Sequence, residues 1–145
     1  MEIVQASLKD IEPVSILFAY YREFYKQPYN IDLARNFIKE RLTESDSVIF
    51  IAIENGEYVG FTQLYPSFTS IGVAKIWILN DLFVLENYRK KGIARHLINH
   101  VFAYSVATNR KKVALSTAHD NLKAQSLYEK LGFVHATHYN YEKTI

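Results

Sequence analysis

The sequence predicts an α/β fold in which one mixed central sheet is flanked by helices. Three observations carry this. Apolar segments change between helical and strand periodicity in the order β, α, α, β, β, β, α, β, α, β. The pair Asn55-Gly56 tolerates positive φ at both positions and marks a tight hairpin, which a tandem run of βαβ units would not contain. The stretch AKIWILNDLFVL is apolar on both faces, as a central strand should be.

Each element has its own signal. Ile3 to Ala6 read as a short first strand, and Asp10 with Pro13 in the first turn opens a helix toward Gln27, which Pro28 ends. Asn30 caps a second helix with Leu33, Phe37, Ile38 and Leu42 at helical spacing. SVIFIAI and YVGFTQLY form the hairpin strands, the second ending at Pro66. After the central strand, a helix from Gly92 to about Asn109 places Ile93, Leu97, Ile98, Val101 and Phe102 on one broad side. KVALST is a further strand. Asp120 or Asn121 caps a helix through Leu131, Gly132 supplies its left-handed stop, and FVHATHYNYE offers a last strand or two. No repeat or change of composition divides the chain, so residues 1–145 are expected to form a single domain.

Composition narrows the function. With 17 Lys and Arg against 15 Asp and Glu, the formal charge of +2 is too small for a broad nucleic-acid surface. The absence of cysteine excludes disulfides, thiolate metal sites and a Cys nucleophile. His96 and His100 lie four apart without an evident third ligand, so no metal is expected. No apolar run reaches the ~18 residues of a membrane span, and the opening MEIVQASLKD has no apolar signal segment, so the expectation is a cytoplasmic protein without a membrane partner.

The basic stretch VLENYRKKGIARHLI runs from the end of an apolar strand, through Arg89-Lys90-Lys91, into a helix at Gly92. The first amides of a helix have no internal partner, the helix dipole favours negative charge there, and glycine keeps a Cβ out of the way of an approaching anion. The turn therefore suits a phosphate or pyrophosphate. It lacks the Lys-Ser/Thr ending of a P-loop and the three glycines of a dinucleotide fingerprint.

Arg89-x-x-Gly92-x-Ala94 after the central strand, followed by NLKAQSLYEKLGF, resembles two motifs of the GCN5-related N-acetyltransferase (GNAT) superfamily: Arg/Gln-x-x-Gly-x-Gly/Ala and the Asn…Ala…Leu-Tyr-Glu-x-x-Gly-Phe segment. With the helix pair and the hairpin, the resemblance covers nearly all of residues 1–135, and it lies near the small polyamine and thialysine acetyltransferases. It implies the acyl-CoA N-acyltransferase fold and acetyl-CoA as cosubstrate. The amides of Lys90, Lys91, Gly92, Ile93, Ala94 and Arg95, introduced by Arg89, would hold the pyrophosphate. The backbone of Leu82, Phe83 and Val84 would pair with pantetheine, and Asn121 would also lie at the cofactor. Arg110, Lys111 and Lys112 form a solvated cluster unless one of them meets the 3′-phosphate.

Acetyl transfer from a thioester to an amine needs a deprotonated amine, a polarised carbonyl and a proton for the departing thiolate. Tyr128, which matches the Leu-Tyr-Glu tyrosine, is the implied proton donor; its alternative is packing near Ala124 and Leu131. A strand N–H near Phe83 or Val84 would polarise the carbonyl. Asn80-Asp81 interrupts an apolar strand, and alternation puts the two on opposite faces unless a bulge re-aims them. The polyamine-type relatives carry Leu-Glu-Asp where this chain has Leu79-Asn80-Asp81, which leaves Asp81 as a base through water or as an electrostatic partner of a cationic acceptor. Tyr21, Phe24, Tyr25 and Tyr29, with Tyr65, Trp77 and Asn80, are the expected acceptor-lining residues.

The expected activity is therefore acetyl transfer to a primary amine, whether small amine, polyamine or amino-acid-like, by direct attack in a ternary complex. A homodimer is left open. The competing readings are a non-catalytic acyl-CoA-binding sensor and a protein lysine or N-terminal acetyltransferase.

Overall fold

The computed structural model describes all 145 residues. They fall into two compact units, Met1–Leu115 and Ser116–Ile145. The first holds a five-stranded sheet in the order β1 (Glu2–Gln5), β2 (Val48–Glu54), β3 (Glu57–Thr69), β4 (Ala74–Val84) and β5 (Val113–Ala114). All pairings are antiparallel except β4 with β5, so the sheet is mixed, as expected. No helix is long and apolar enough to cross a membrane.

Local chemistry accounts for the boundaries. Before α1 (Ile11–Phe24), the Asp10 carboxylate accepts from the Ser7 backbone N–H at 2.9 Å and from the Tyr58 hydroxyl at 2.7 Å, tying the helix start to the sheet. Asn30 opens α2 (Ile31–Glu44) by accepting from the Leu33 N–H at 3.0 Å. Asn55 and Gly56 take φ of 50° and 79°, the conformation that the β2–β3 hairpin needs. α3 (Ile93–Ala107) follows β4.

The helices cover opposite faces of the sheet. Val14, Leu17, Phe18, Ala34 and Ile38 of α1 and α2 pack with Ile49, Ile51, Phe61 and Phe83 of the strands. The other face carries Phe50 and Trp77, which meet Tyr104 of α3 at ring-centroid distances of 5.0 and 5.7 Å.

Two expectations about strands change. β3 continues through Pro66 to Thr69. Its pairing with β2 ends at Val48↔Leu64, so Pro66 sits where β3 is paired on the β4 side only, and a missing N–H is tolerated. At the other end, KVALST contributes only Val113–Ala114, and FVHATHYNYE forms no strand. Strand-like composition needs a ladder partner to become a strand. The second unit contains α4 (Leu122–Lys130), capped by Asn121 accepting from the Ala124 N–H at 3.2 Å and stopped at Gly132, whose φ is +96°.

Candidate active site

The site begins with a fault in β4. The β3–β4 ladder pairs Leu64 with Leu79 and Gln63 with Asp81, leaving Asn80 as the extra residue of a β-bulge. The Thr62 hydroxyl takes up the carbonyl of Asp81 at 2.8 Å beside this break. One inserted residue reverses the alternation. Trp77 and Leu79 face α3, whereas Asp81 and Phe83 face α1, beside Gln63 and Phe61.

Trp77 is thereby corrected. Expected among the acceptor-lining residues, it is only 5% exposed and packs beneath α3, with its indole N–H on Thr108 Oγ1 at 3.1 Å. Arg110 lies over its ring at 4.1 Å and is a packing partner there. His100 likewise meets the Phe50 ring at 4.6 Å.

On the α1 face, Asp81 is 2% exposed and richly bonded. Gln63 Nε2 donates to Oδ2 at 2.5 Å and Asn80 Nδ2 donates to Oδ1 at 2.8 Å; Gln63 is itself held through its carbonyl by the Ser47 hydroxyl at 2.8 Å. Burial pushes the Asp81 carboxyl above the usual carboxylate range, opposed by hydrogen bonds from Asn80, Gln63 and Tyr21. Burial, reinforced by the nearby Asp81 charge, raises the Tyr21 hydroxyl. Burial also pushes Tyr65 up to about 12. Both phenols are therefore neutral donors at physiological pH. Because an ionised carboxylate only accepts, the amide nitrogen of Asn80 must face it and the amide oxygen is left as an acceptor on an exposed side chain.

Gln63 and Ser47 were not anticipated as part of this cluster. Their signal was a glutamine inside an apolar strand, which must find polar partners when buried.

Beside the bulge the sheet opens. β4 pairs with β5 only at Trp77↔Val113 and Ile78↔Ala114, so residues 79–84 have no strand partner on that edge. The chain then turns through Arg89–Gly92. Arg89 Nε donates to the Val84 carbonyl at 2.8 Å, and its guanidinium stacks on Phe24 and Phe83 at 5.2 and 5.5 Å. Lys90 and Gly92 adopt φ of 63° and 81°. The His96 N–H is the first to find an intrahelical acceptor, the Gly92 carbonyl at 3.1 Å, so the amides of Ile93, Ala94 and Arg95 before it have no acceptor within the helix. No acidic residue lies in the first turn of α3, and a Cβ built on Gly92 would meet no protein atom within 4 Å. An anion therefore has open space, free donors and a favourable dipole.

Around the end of α1, Phe24 and Tyr25 are exposed and meet each other at 5.2 Å; Tyr25 meets the half-buried Tyr21 at 5.0 Å. In the second unit, the half-buried Tyr128 ring meets Phe133 at 5.7 Å, and the Asn121 side chain serves as the helix cap.

An opened strand edge next to an anion-binding helix start is an arrangement suited to a long nucleotide thioester. The model of the acetyltransferase (GNAT) family matches residues 14–133. An uncharacterized N-acetyltransferase of Bacillus subtilis is 46% identical over 133 residues, 92% of this chain and 89% of that one. A probable acetyltransferase of Haemophilus influenzae is 33% identical over 113 residues, covering 76% and 77%. The crystal structure of a probable acetyltransferase superposes with a TM-score of 0.93 at 38% identity, covering 100% of this chain and 98% of the other. The chain belongs to the GNAT family of acetyltransferases, whose cosubstrate is acetyl-CoA.

Proposed function

We propose that this enzyme acetylates the primary amine of a small acceptor by direct attack within a ternary complex, with residues 1–145 acting as one catalytic domain. The observation that carries this reading is the bulge at Asn80, which aims a buried carboxylate toward α1 where β4 separates from β5. Acetyl-CoA supplies an activated carbonyl on a thiolate leaving group. The chain's own residues do the rest. The amides of residues 90–95 hold the pyrophosphate, while Arg89 fixes the loop by its bond to Val84. The backbone of residues 82–84 pairs with the pantetheine arm and offers an N–H to the carbonyl oxygen.

Asn80 accepts from the incoming amine, and Asp81 takes its proton through water, a task that its raised pKa favours. A C–N bond forms as the C–S bond breaks; the ammonium nitrogen loses two protons in all, one to solvent by way of Asp81, while Tyr128 gives its hydroxyl proton to the departing thiolate and is restored by the second, leaving amide, CoA thiol and one released proton. With no cysteine in the chain, no thiol is available to carry the acetyl group.

Thiol release from acetyl-CoA across a panel of amines, amino acids and peptides tests the proposal. Stoichiometric acetylated amine is expected. Tight acetyl-CoA binding with no acceptor turned over would favour the sensor reading.

A further inference from the structure

Building on the N-acetyltransferase reading, we propose that the preferred acceptor is a primary amine with one positive charge on an aromatic or otherwise apolar body. The structure joins two features that select such a molecule. The rings of Phe24, Tyr25 and Tyr21 meet in succession at 5.2 and 5.0 Å, leading from the exposed end of α1 to Asp81. Tyr25 is 51% exposed, so an apolar body laid on it removes aromatic surface from water on both sides.

The charge inventory sets the second condition. Besides Asp81, the acidic group that bears on Tyr65 is Asp46, and its carboxylate is paired with Arg41 at 3.0 Å. Arg89 holds a second cation against Phe24 and Phe83. Of the carboxylates that bear on the Tyr21 and Tyr65 hydroxyls, Asp81 alone stands outside an ion pair, and one carboxylate can balance one ammonium; beside these rings, the further ammonium groups of a polyamine or aminosugar would lose hydration without a partner. Polycations are selected against, and a cation that is also aromatic-bodied is served at both ends.

The experiment compares kcat/KM for 2-phenylethylamine, propylamine, spermidine and kanamycin by thiol release with the full chain. Phenylethylamine is expected to exceed spermidine and kanamycin by about tenfold or more, a ratio that one unpaired charge or one lost apolar contact surface can supply. Tyr25→Ala should raise KM for phenylethylamine more than for propylamine, with acetyl-CoA affinity serving as the check on folding. Preference for spermidine or kanamycin, or equal KM effects of Tyr25→Ala on both monoamines, overturns this inference and leaves the N-acetyltransferase reading standing. Turnover of no amine at all, with acetyl-CoA bound, overturns both.

Discussion

Asn80 donates its side-chain amide to Oδ1 of Asp81 at 2.8 Å, although neighbouring residues of an unbroken strand would point to opposite faces. The bulge makes the contact, and the contact makes Asp81 titration sensitive to position 80. Asn80→Asp should replace a donor by a second carboxylate. The pair is then expected to titrate in two steps, the upper one about one pH unit or more above the wild-type Asp81 midpoint, because like charges at this range oppose the second ionisation. Carboxyl 13C NMR across pH 3 to 9 measures it; an unchanged midpoint would separate the two side chains.

Asp81 also predicts a pH-dependent stability. Its folded pKa is raised by burial, so its contribution is fully present below the unfolded carboxylate range near 4 and is lost as pH rises through the folded value. Asp81→Asn removes that titration while keeping an acceptor for Asn80. Relative to wild type, the mutant should gain thermal stability as pH increases from about 4 to 7, and kcat/KM should fall by roughly 10²-fold if Asp81 is the proton acceptor. Melting curves at four pH values with parallel kinetics would show both, and a stability difference independent of pH would contradict the burial argument.

How far the sequence spoke differs between elements for physical reasons. The cap at Asn30, the Asn55-Gly56 hairpin and the helix start at Gly92 are governed by local backbone chemistry and were legible. The bulge was foreseen only as an option, since AKIWILNDLFVL is apolar on both faces and carries no alternation from which to read a shift. That is why Trp77 was expected beside the acceptor and lies beneath α3 instead. Likewise Pro66 looked like a strand end because its neighbour on the β2 side was unknown, and FVHATHYNYE looked like a strand because composition does not reveal a missing partner.

Gly92 separates conformation from ligand approach. Its φ of +81° disfavours any side chain, yet a Cβ there would meet nothing. Gly92→Ala should therefore fold, losing about 1 kcal/mol for the left-handed backbone. Gly92→Glu should suffer a similar strain but place a carboxylate at the free amides, so acetyl-CoA binding by calorimetry is expected to disappear. Retained affinity in a folded Glu variant would remove the anion site from the loop.

Arg89 acts through the loop that it fastens. Its planar head simultaneously donates to the Val84 carbonyl and stacks on Phe24 and Phe83, a combination that an ammonium cannot reproduce. Arg89→Lys should therefore weaken acetyl-CoA binding on the order of 10-fold, corresponding to the loss of one charged hydrogen bond of roughly 1.5 kcal/mol. Equal affinity for the Lys variant would mean that charge alone matters there.

Tyr128→Phe divides binding from chemistry. The ring contact with Phe133 at 5.7 Å uses no hydroxyl, and the backbone carbonyl of Tyr128 that accepts from the Phe133 N–H at 3.0 Å is untouched by the substitution, so these two contacts should persist. If the hydroxyl delivers a proton to the departing thiolate, the variant should bind acetyl-CoA with nearly unchanged affinity while kcat falls by roughly 10- to 1000-fold, near the range of general acid–base catalysis. The loss should shrink with a thioester whose leaving thiol is more acidic, because such a thiolate needs less help to depart. A phenylalanine variant with full kcat on its preferred acceptor, or an equal loss for both thioesters, would take the acid role from Tyr128 and leave the leaving group to solvent.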